Sequence, residues 1–383
     1  MSTDVKPIRL GMVGGGKDAF IGAVRRIAMR IDGQYELVAG ALSSTPQKAF
    51  ESGVALGLPE DRIYADFKEM AIAEAAREDG IEAVAIVTPN HMHFAAAQEF
   101  LSRGIHVICD KPLTSTMDEA NKMAEAVAKS DAMFLLTHNY TGYPLMRQAR
   151  EMVAAGDLGD IRVVQVEYAQ DWLTEAAESK QADWRTDPSR SGVGGATGDI
   201  GTHAFNLACF VSDLEPQELC ADLQSFVPGR RVDDNAHVML RFKGGARGML
   251  WCSQVAPGKE NALKLSVFGS KGGIEWSQEV PNQMLYTPFG SPSQILTRAG
   301  AGASASSEAL TRTPGGHPEG YLEAFANLYL EAADLIRDRR DGQPKPLETL
   351  VPGLKDGMAG MRFVDACVRS SAQNSAWVSL AET

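Results

Sequence analysis

Along the first third of the chain, short apolar runs alternate with longer stretches whose apolar positions recur at helical spacing. Ile8 to Gly14 reads as a strand and leads into a helix-compatible stretch from Ala19 to Arg30. Tyr35 to Leu42, Ala83 to Val87, Ile105 to Cys109 and Met133 to Thr137 follow as further strands. Alanine-rich helical stretches such as Met92 to Arg103 and Met117 to Ser130 lie between them. Continuous apolar strands alternating with helices predict an α/β domain with a doubly wound parallel sheet, buried on both faces.

From about Leu145 the pattern changes. Ile161 to Gln170, Leu219 to Phe226, Ala236 to Phe242, Gly248 to Ser253, Leu263 to Phe268 and Gly273 to Trp276 succeed one another as strands, several joined by glycine turns such as Lys243-Gly244-Gly245. They predict a second domain of the α+β type with a large, mostly antiparallel sheet. Residues 287–316, rich in Gly, Ser, Ala, Pro and Thr, predict a long surface loop. Helices are predicted from about Pro318 to Arg339 and from Leu354 to Ser371. The expected division is 1–140 for the parallel-sheet domain and 141–383 for the second, which carries substrate and the contacts between subunits.

Composition narrows the partners. With 383 residues, 44% apolar and 22% charged, two domains with substantial cores are expected. A net charge of −12 argues against nucleic acid or an anionic membrane surface as a partner. The N-terminus has no cationic-then-apolar signal pattern and no apolar run has spanning length, so a cytoplasmic location is expected. Cys109, Cys209, Cys220, Cys252 and Cys367 are odd in number and widely spaced, as reduced core thiols are. Apolar positions remain on the other face of the second sheet, in strands such as Leu263–Phe268 and Met249–Trp251, which predicts a homo-oligomer, dimer or tetramer.

Three constellations carry candidate chemistry. The first is Gly14-Gly15-Gly16, at the end of the first strand, where backbone amides and a helix N-terminus can face a pyrophosphate. Gly14-x-Gly16-x-x-Ala19 satisfies the dinucleotide fingerprint, and Gly22 offers a second registration; both stay open. The second strand ends at Ser43-Ser44, without the carboxylate that would hold a ribose 2′-hydroxyl. Ser43, Ser44 and Lys48 can accept a 2′-phosphate, so NAD and NADP are both open. The second constellation is Asp110-Lys111-Pro112, where proline holds a lysine at a strand's C-terminal edge, the ligand edge of an open parallel sheet. The third is Gly198-Asp199-Ile200-Gly201-Thr202-His203: a carboxylate four residues before an imidazole, a pair suited to proton transfer. His91 and His93 have no third ligand at plausible spacing, so no metal is expected.

These motifs, with Thr88-Pro89-Asn90-His91-Met92-His93, Gly156-Asp157-Leu158-Gly159-Asp160-Ile161 and Trp184-Arg185, occur in an order that resembles the Gfo/Idh/MocA family of oxidoreductases over nearly the whole chain. Asp110 stands where that family usually has Glu, and the glycine loop is extended by Lys17-Asp18-Ala19-Phe20. The resemblance implies an N-terminal Rossmann domain and hydride transfer between NAD or NADP and a secondary alcohol of a sugar, sugar derivative or cyclitol. Lys111, His203 and Asp199 would be catalytic, with the division of proton transfer between Lys111 and His203 open. Gly14, Gly15, Gly16, Phe20, Ile21, Ser43, Ser44, Lys48, Thr88, Pro89, Asn90, His93, Asp110, Lys111 and Asn139 would line the cofactor. Tyr140, Tyr143, Trp172, Trp184 and Arg185, with Lys111, Asp199 and His203, would meet substrate. A dinucleotide-binding regulator without turnover and a glycosidase using tightly held NAD are the alternatives on the same fold.

Overall fold

The computed structural model describes residues 6–17, 19–176, 179–342 and 349–381. The chain forms two units, one of residues 1–139 and 321–357, the other of residues 140–320 and 358–383. In the first, β1 (Ile8–Gly14), β2 (Tyr35–Ala41), β3 (Ala83–Val87), β4 (His106–Cys109) and β5 (Phe134–Leu136) form a five-stranded sheet in the order β2-β1-β3-β4-β5. Every pairing is parallel. β3 is buried at all of its positions, as a strand covered on both faces must be. The chain leaves β1 toward β2 and returns to β3 on its other side, so the C-terminal ends of β1 and β3 form the switch point at which such sheets bind ligands.

The helix Tyr321–Arg340 belongs to this first unit, so residues 321–357 group with the parallel-sheet domain and not with the second domain expected for 141–383. Its stripe Phe325, Leu328, Tyr329, Ala332 and Ile336 shares one core with Val24, Ala28 and Met29 of the first helix, Phe20–Ile31. Tyr35 Oη donates to the Tyr329 carbonyl at 2.9 Å within that core.

The second unit holds a nine-stranded sheet of β6 (Ile161–Ala169), β7 (Pro216–Gln224), β8 (Asn235–Phe242), β9 (Arg247–Ser253), β10 (Ala262–Gly269), β11 (Gly272–Ser277), β12 (Gln283–Pro288), β13 (Gln294–Thr297) and β14 (Val378–Ser379). The order is β13-β12-β11-β10-β6-β9-β8-β7-β14, antiparallel except where β6 meets β9. β8 shows the two-sided logic: Ala236, Val238, Leu240 and Phe242 are buried, while His237 and Met239 face the other way and are exposed. The helix Thr202–Ser212 packs on β6, β9 and β10.

Residues 287–316 are more ordered than a surface loop. They contain the end of β12, β13 and a short helix, Ala305–Ala309. Arg298 and Glu319, both buried, pair at 3.2 Å, and Arg298 also donates to Asn282 Oδ1 at 2.7 Å and to the Thr313 carbonyl at 2.8 Å. A buried ion pair with its remaining donors satisfied fixes a segment that composition alone marks as loop. Among the described residues, no helix is long and apolar enough to cross a membrane.

Candidate active site

The glycine turn of the first unit has the conformation its sequence requires. Gly14 and Gly15 have φ of 77° and 71°, a region open to glycine. A Cβ on Gly22 would lie 2.3 Å from the Gly15 carbonyl oxygen and 2.4 Å from its Cα, so helix and turn meet backbone to backbone. Gly22 therefore fills the third glycine position of the fingerprint, and the second registration holds. Ala19 becomes the N-cap of the helix, extended and with no side-chain cap, which leaves the first-turn amides without a side-chain acceptor there. Arg26 Nη1 donates to the Gly15 carbonyl and pins the turn from the helix, a role with no signal in the sequence. Phe20 is exposed at the helix start, whereas Ile21 packs against the core. Asp18 lies outside the described residues. Gly16 N donates to the Leu42 carbonyl at 3.1 Å, tying the turn to the end of β2, where Ser43 is half-buried and Ser44 and Lys48 are exposed.

At the ends of β3, β4 and β5 the motif residues divide into presenters and braces. Thr88 Oγ1 and Asn139 Nδ2 are buried with no hydrogen-bond partner among the described residues, as polar atoms awaiting a ligand are. With the uncapped helix and the glycine turn, they fit a dinucleotide. His93 does not present its side chain: it is fully buried, with Nδ1 2.8 Å from the Pro112 carbonyl and Nε2 3.0 Å from the Thr88 carbonyl. Instead of running along a cofactor it ties the segment after β3 to the segment after Lys111. Burial lowers its pKa. Asn90 is likewise buried beside Pro89. Asp110 Oδ1 accepts from Lys111 N at 2.9 Å and from Thr137 Oγ1 at 3.3 Å, so it braces its own turn. Lys111 is half-buried and its peptide to Pro112 is cis. His138, one residue beyond Thr137, is pushed down to about 3 by burial and by the Lys111 cation, and stays neutral at neutral pH. Among the described residues, no group of three or more His, Cys, Asp or Glu is placed to hold a metal.

In the second unit, Asp199 sits on a single π-helical turn, Thr197–Gly201, that continues into the helix bearing His203. Such turns recur at functional sites because the extra residue re-aims side chains. Asp233 holds this one in place: its buried carboxylate accepts from Gly195 N at 2.7 Å, Thr197 N at 2.8 Å and Thr197 Oγ1 at 2.9 Å. Burial raises the Asp233 pKa against those bonds. A Cβ on Gly195 would meet the Asp233 carbonyl oxygen at 2.0 Å, so the clamp also requires glycine there.

Asp199 Oδ2 accepts from Arg185 Nε at 3.1 Å and from Gln254 Nε2 at 2.9 Å. The Arg185 guanidinium stacks 4.2 Å from the Trp184 ring centre and 5.8 Å from that of Trp172. His203 is 8% exposed and stands edge-on to Tyr140, with ring centres 5.0 Å apart, and 6.2 Å from Tyr168. Burial raises the Tyr140 phenol, and Asp199 adds to the effect. Tyr143, expected to meet substrate, is a core aromatic: it is 1% exposed, stacked 6.0 Å from Tyr140 and edge-on to Trp276 at 5.2 Å. Trp172 is 37% exposed. The sequence reading missed Asp233, Gln254, Tyr168, Gln170 and Asn261; the polar run Asp233-Asp234-Asn235 ahead of an apolar strand was the one available signal.

A glycine turn at a parallel-sheet switch point, leading into a helix without a side-chain cap and with a lysine at the end of the strand beyond β3, is the arrangement of a dinucleotide-binding oxidoreductase. The chain belongs to the GFO/IDH/MocA family. The sequence profile of the oxidoreductase family with an NAD-binding Rossmann fold matches residues 8–138, and that of the GFO/IDH/MocA C-terminal domain matches residues 146–275. An oxidoreductase from Sinorhizobium meliloti shares 61% identity over 98% of this chain and 100% of its own, with a TM-score of 0.89. The structure of an inositol dehydrogenase homolog from Azotobacter vinelandii complexed with NADH and myo-inositol shares 35% identity over 98% of each chain, with a TM-score of 0.91. The uncharacterized oxidoreductase YfiI of Bacillus subtilis is 36% identical over 97% of each chain.

Proposed function

We propose that this oxidoreductase oxidises a secondary alcohol of an uncharged polyol, with a cyclitol as first choice, using NAD. The observation that carries the reading is the state of Asp199. Its charge is matched by Arg185 and Gln254, so the described residues around His203 present a compensated ion pair, amide groups and aromatic faces, which suit an uncharged polyol. The relative whose structure contains NADH and myo-inositol supports the same class.

Removal of hydride from a C–H bond requires that the adjacent hydroxyl lose its proton. Bound nicotinamide supplies the hydride acceptor. Lys111 donates a hydrogen bond to the reacting oxygen and stabilises its developing negative charge. His203 takes the hydroxyl proton, and the Arg185 and Gln254 contacts of Asp199 hold the turn that leads into the His203 helix. Neutral His138 near the lysine adds no second positive charge there. Asp110 and His93 fix the strand ends that carry Lys111.

The test is NADH formation at 340 nm with NAD and NADP against a panel of cyclitols, aldoses and sugar acids. Steady reduction with a neutral cyclitol is expected. Turnover confined to an acidic sugar overturns the substrate class, and bond cleavage without net reduction identifies a glycosidase. Met239 and Met249 pair across β8 and β9, and Val163 and Phe268 across β6 and β10, all exposed on one face of the sheet. A homodimer closed through this face is part of the proposal, and light scattering at twice the 41.1 kDa chain mass is its expected result.

A further inference from the structure

Trp172, Gln170, Asn261, Tyr168 and Tyr140 of the second unit form one hydrogen-bonded chain, and donor chemistry fixes its direction. The indole N–H of Trp172 is a donor only, so the oxygen of Gln170, 2.9 Å away, must face it. The Gln170 amide nitrogen then points at Asn261 Oδ1, at 2.8 Å. Asn261 Oδ1 also accepts from Tyr168 Oη at 2.8 Å, which uses the one proton of that phenol. Tyr140 must therefore be the donor in the 2.6 Å contact between the two hydroxyls. The remaining Asn261 amide nitrogen donates back to Tyr140 Oη at 3.4 Å and closes a ring of three donors all running one way. One-way rings polarise each member and resist reorientation. Both phenol rings in this network flank the His203 imidazole.

We propose that this network is a positioning device for His203: the Trp172 indole orients the amides of Gln170 and Asn261, and these lock the two phenol rings that hold the imidazole. Trp172, Gln170, Asn261, Tyr168 and Tyr140 are thus positioning residues, and Tyr140 and Trp172 act through the network rather than as substrate ligands. The proposal rests on the reading of His203 as the proton acceptor.

Trp172→Phe keeps an aromatic ring beside Arg185 and deletes the indole N–H; Tyr168→Phe deletes one phenol proton. In the full-length protein, each is expected to lower kcat about fivefold, the scale of one lost hydrogen bond, and to displace the acid limb of kcat/KM. NAD affinity should remain that of wild type. The double variant should be no slower than Tyr168→Phe alone, because both break one network. Multiplying effects, or a change in polyol KM with an unmoved acid limb, would overturn the proposal. A second readout needs no turnover: the His203 imidazole, followed by NMR in histidine-labelled, substrate-free protein, should titrate differently in Tyr168→Phe and Trp172→Phe. Identical titrations overturn the proposal even if the dehydrogenase reading holds. If no polyol turns over in wild type, the dehydrogenase reading fails and the titration alone decides.

Discussion

Asp233→Asn is the sharpest perturbation of the π-turn. The carboxylate receives three donors: Gly195 N and Thr197 Oγ1 on Oδ1, Thr197 N on Oδ2. Asparagine keeps one oxygen for the first two and turns an amide N–H₂ toward the Thr197 N–H, donor against donor, in a buried site. Loss of one charge-assisted bond costs about 1.5–3 kcal/mol, and an unsatisfied buried donor about 1–3 kcal/mol more. The carboxylate's own burial, which raises its pKa, offsets part of this because the amide is cheaper to bury. The net expectation is about 2–4 kcal/mol of destabilisation, confined to the second unit. The molecule supplies its own reporter: all five tryptophans, at 172, 184, 251, 276 and 377, lie in that unit. Urea unfolding followed by tryptophan fluorescence should show the lowered midpoint, while NAD affinity, a property of the first unit, changes less than about threefold. The kcat for polyol oxidation should fall about 100-fold as Asp199 and His203 lose their frame. An Asp233→Asn protein within about 0.5 kcal/mol of wild type and with unchanged kcat would show that the clamp does not hold the turn.

Gly22→Ala should weaken NAD binding at least about tenfold, since its Cβ lands on Gly15 backbone at 2.3–2.4 Å, and leave the tryptophan-reported transition unmoved; calorimetry showing wild-type affinity contradicts this. NAD and NADP should be discriminated weakly, and Ser43→Asp should shift preference toward NAD; a wild-type preference beyond about a thousandfold, near 4 kcal/mol, would mean that another group reads the 2′-position. Acid should destabilise the first unit through His138, whose folded pKa of about 3 lies below its unfolded 6.5. Between those values the unfolded chain binds a proton that the folded chain refuses, so stability is full above about 6.5 and declines as pH falls, by about 2 kcal/mol from pH 7 to pH 5. His138→Asn should flatten the pH dependence of urea unfolding followed by circular dichroism, and an unaltered slope rejects the assignment.

The parallel sheet was legible because strands buried on both faces must be apolar throughout, and Ala83–Val87 shows this at every position. The membership of Tyr321–Arg340 was not: a helical stripe records that a partner exists but not which one. The segment around Arg298 reads as loop because its order comes from a buried ion pair whose halves are 21 residues apart. Lys111, Asp199 and His203 stand out in the sequence by motif and spacing, which is what makes them candidates. Asp233, Gln254 and Asn261 do not, since a single polar residue at a strand end acquires its meaning only from what the fold brings to it. His93 shows the opposite failure: its place in a family-like motif suggested a cofactor contact, and its two carbonyl neighbours make it a brace.

The central claim is direct hydride transfer from a polyol carbon, assisted by Lys111. Incubation with NAD and myo-inositol deuterated at its ring carbons, followed by mass spectrometry of the reduced nicotinamide, tests it most directly. Wild type should yield NADH carrying one deuterium, and Lys111→Ala, binding NAD within about tenfold of wild type, should yield none on the same timescale. Unlabelled NADH from wild type, or label arriving equally fast in Lys111→Ala, would contradict the account.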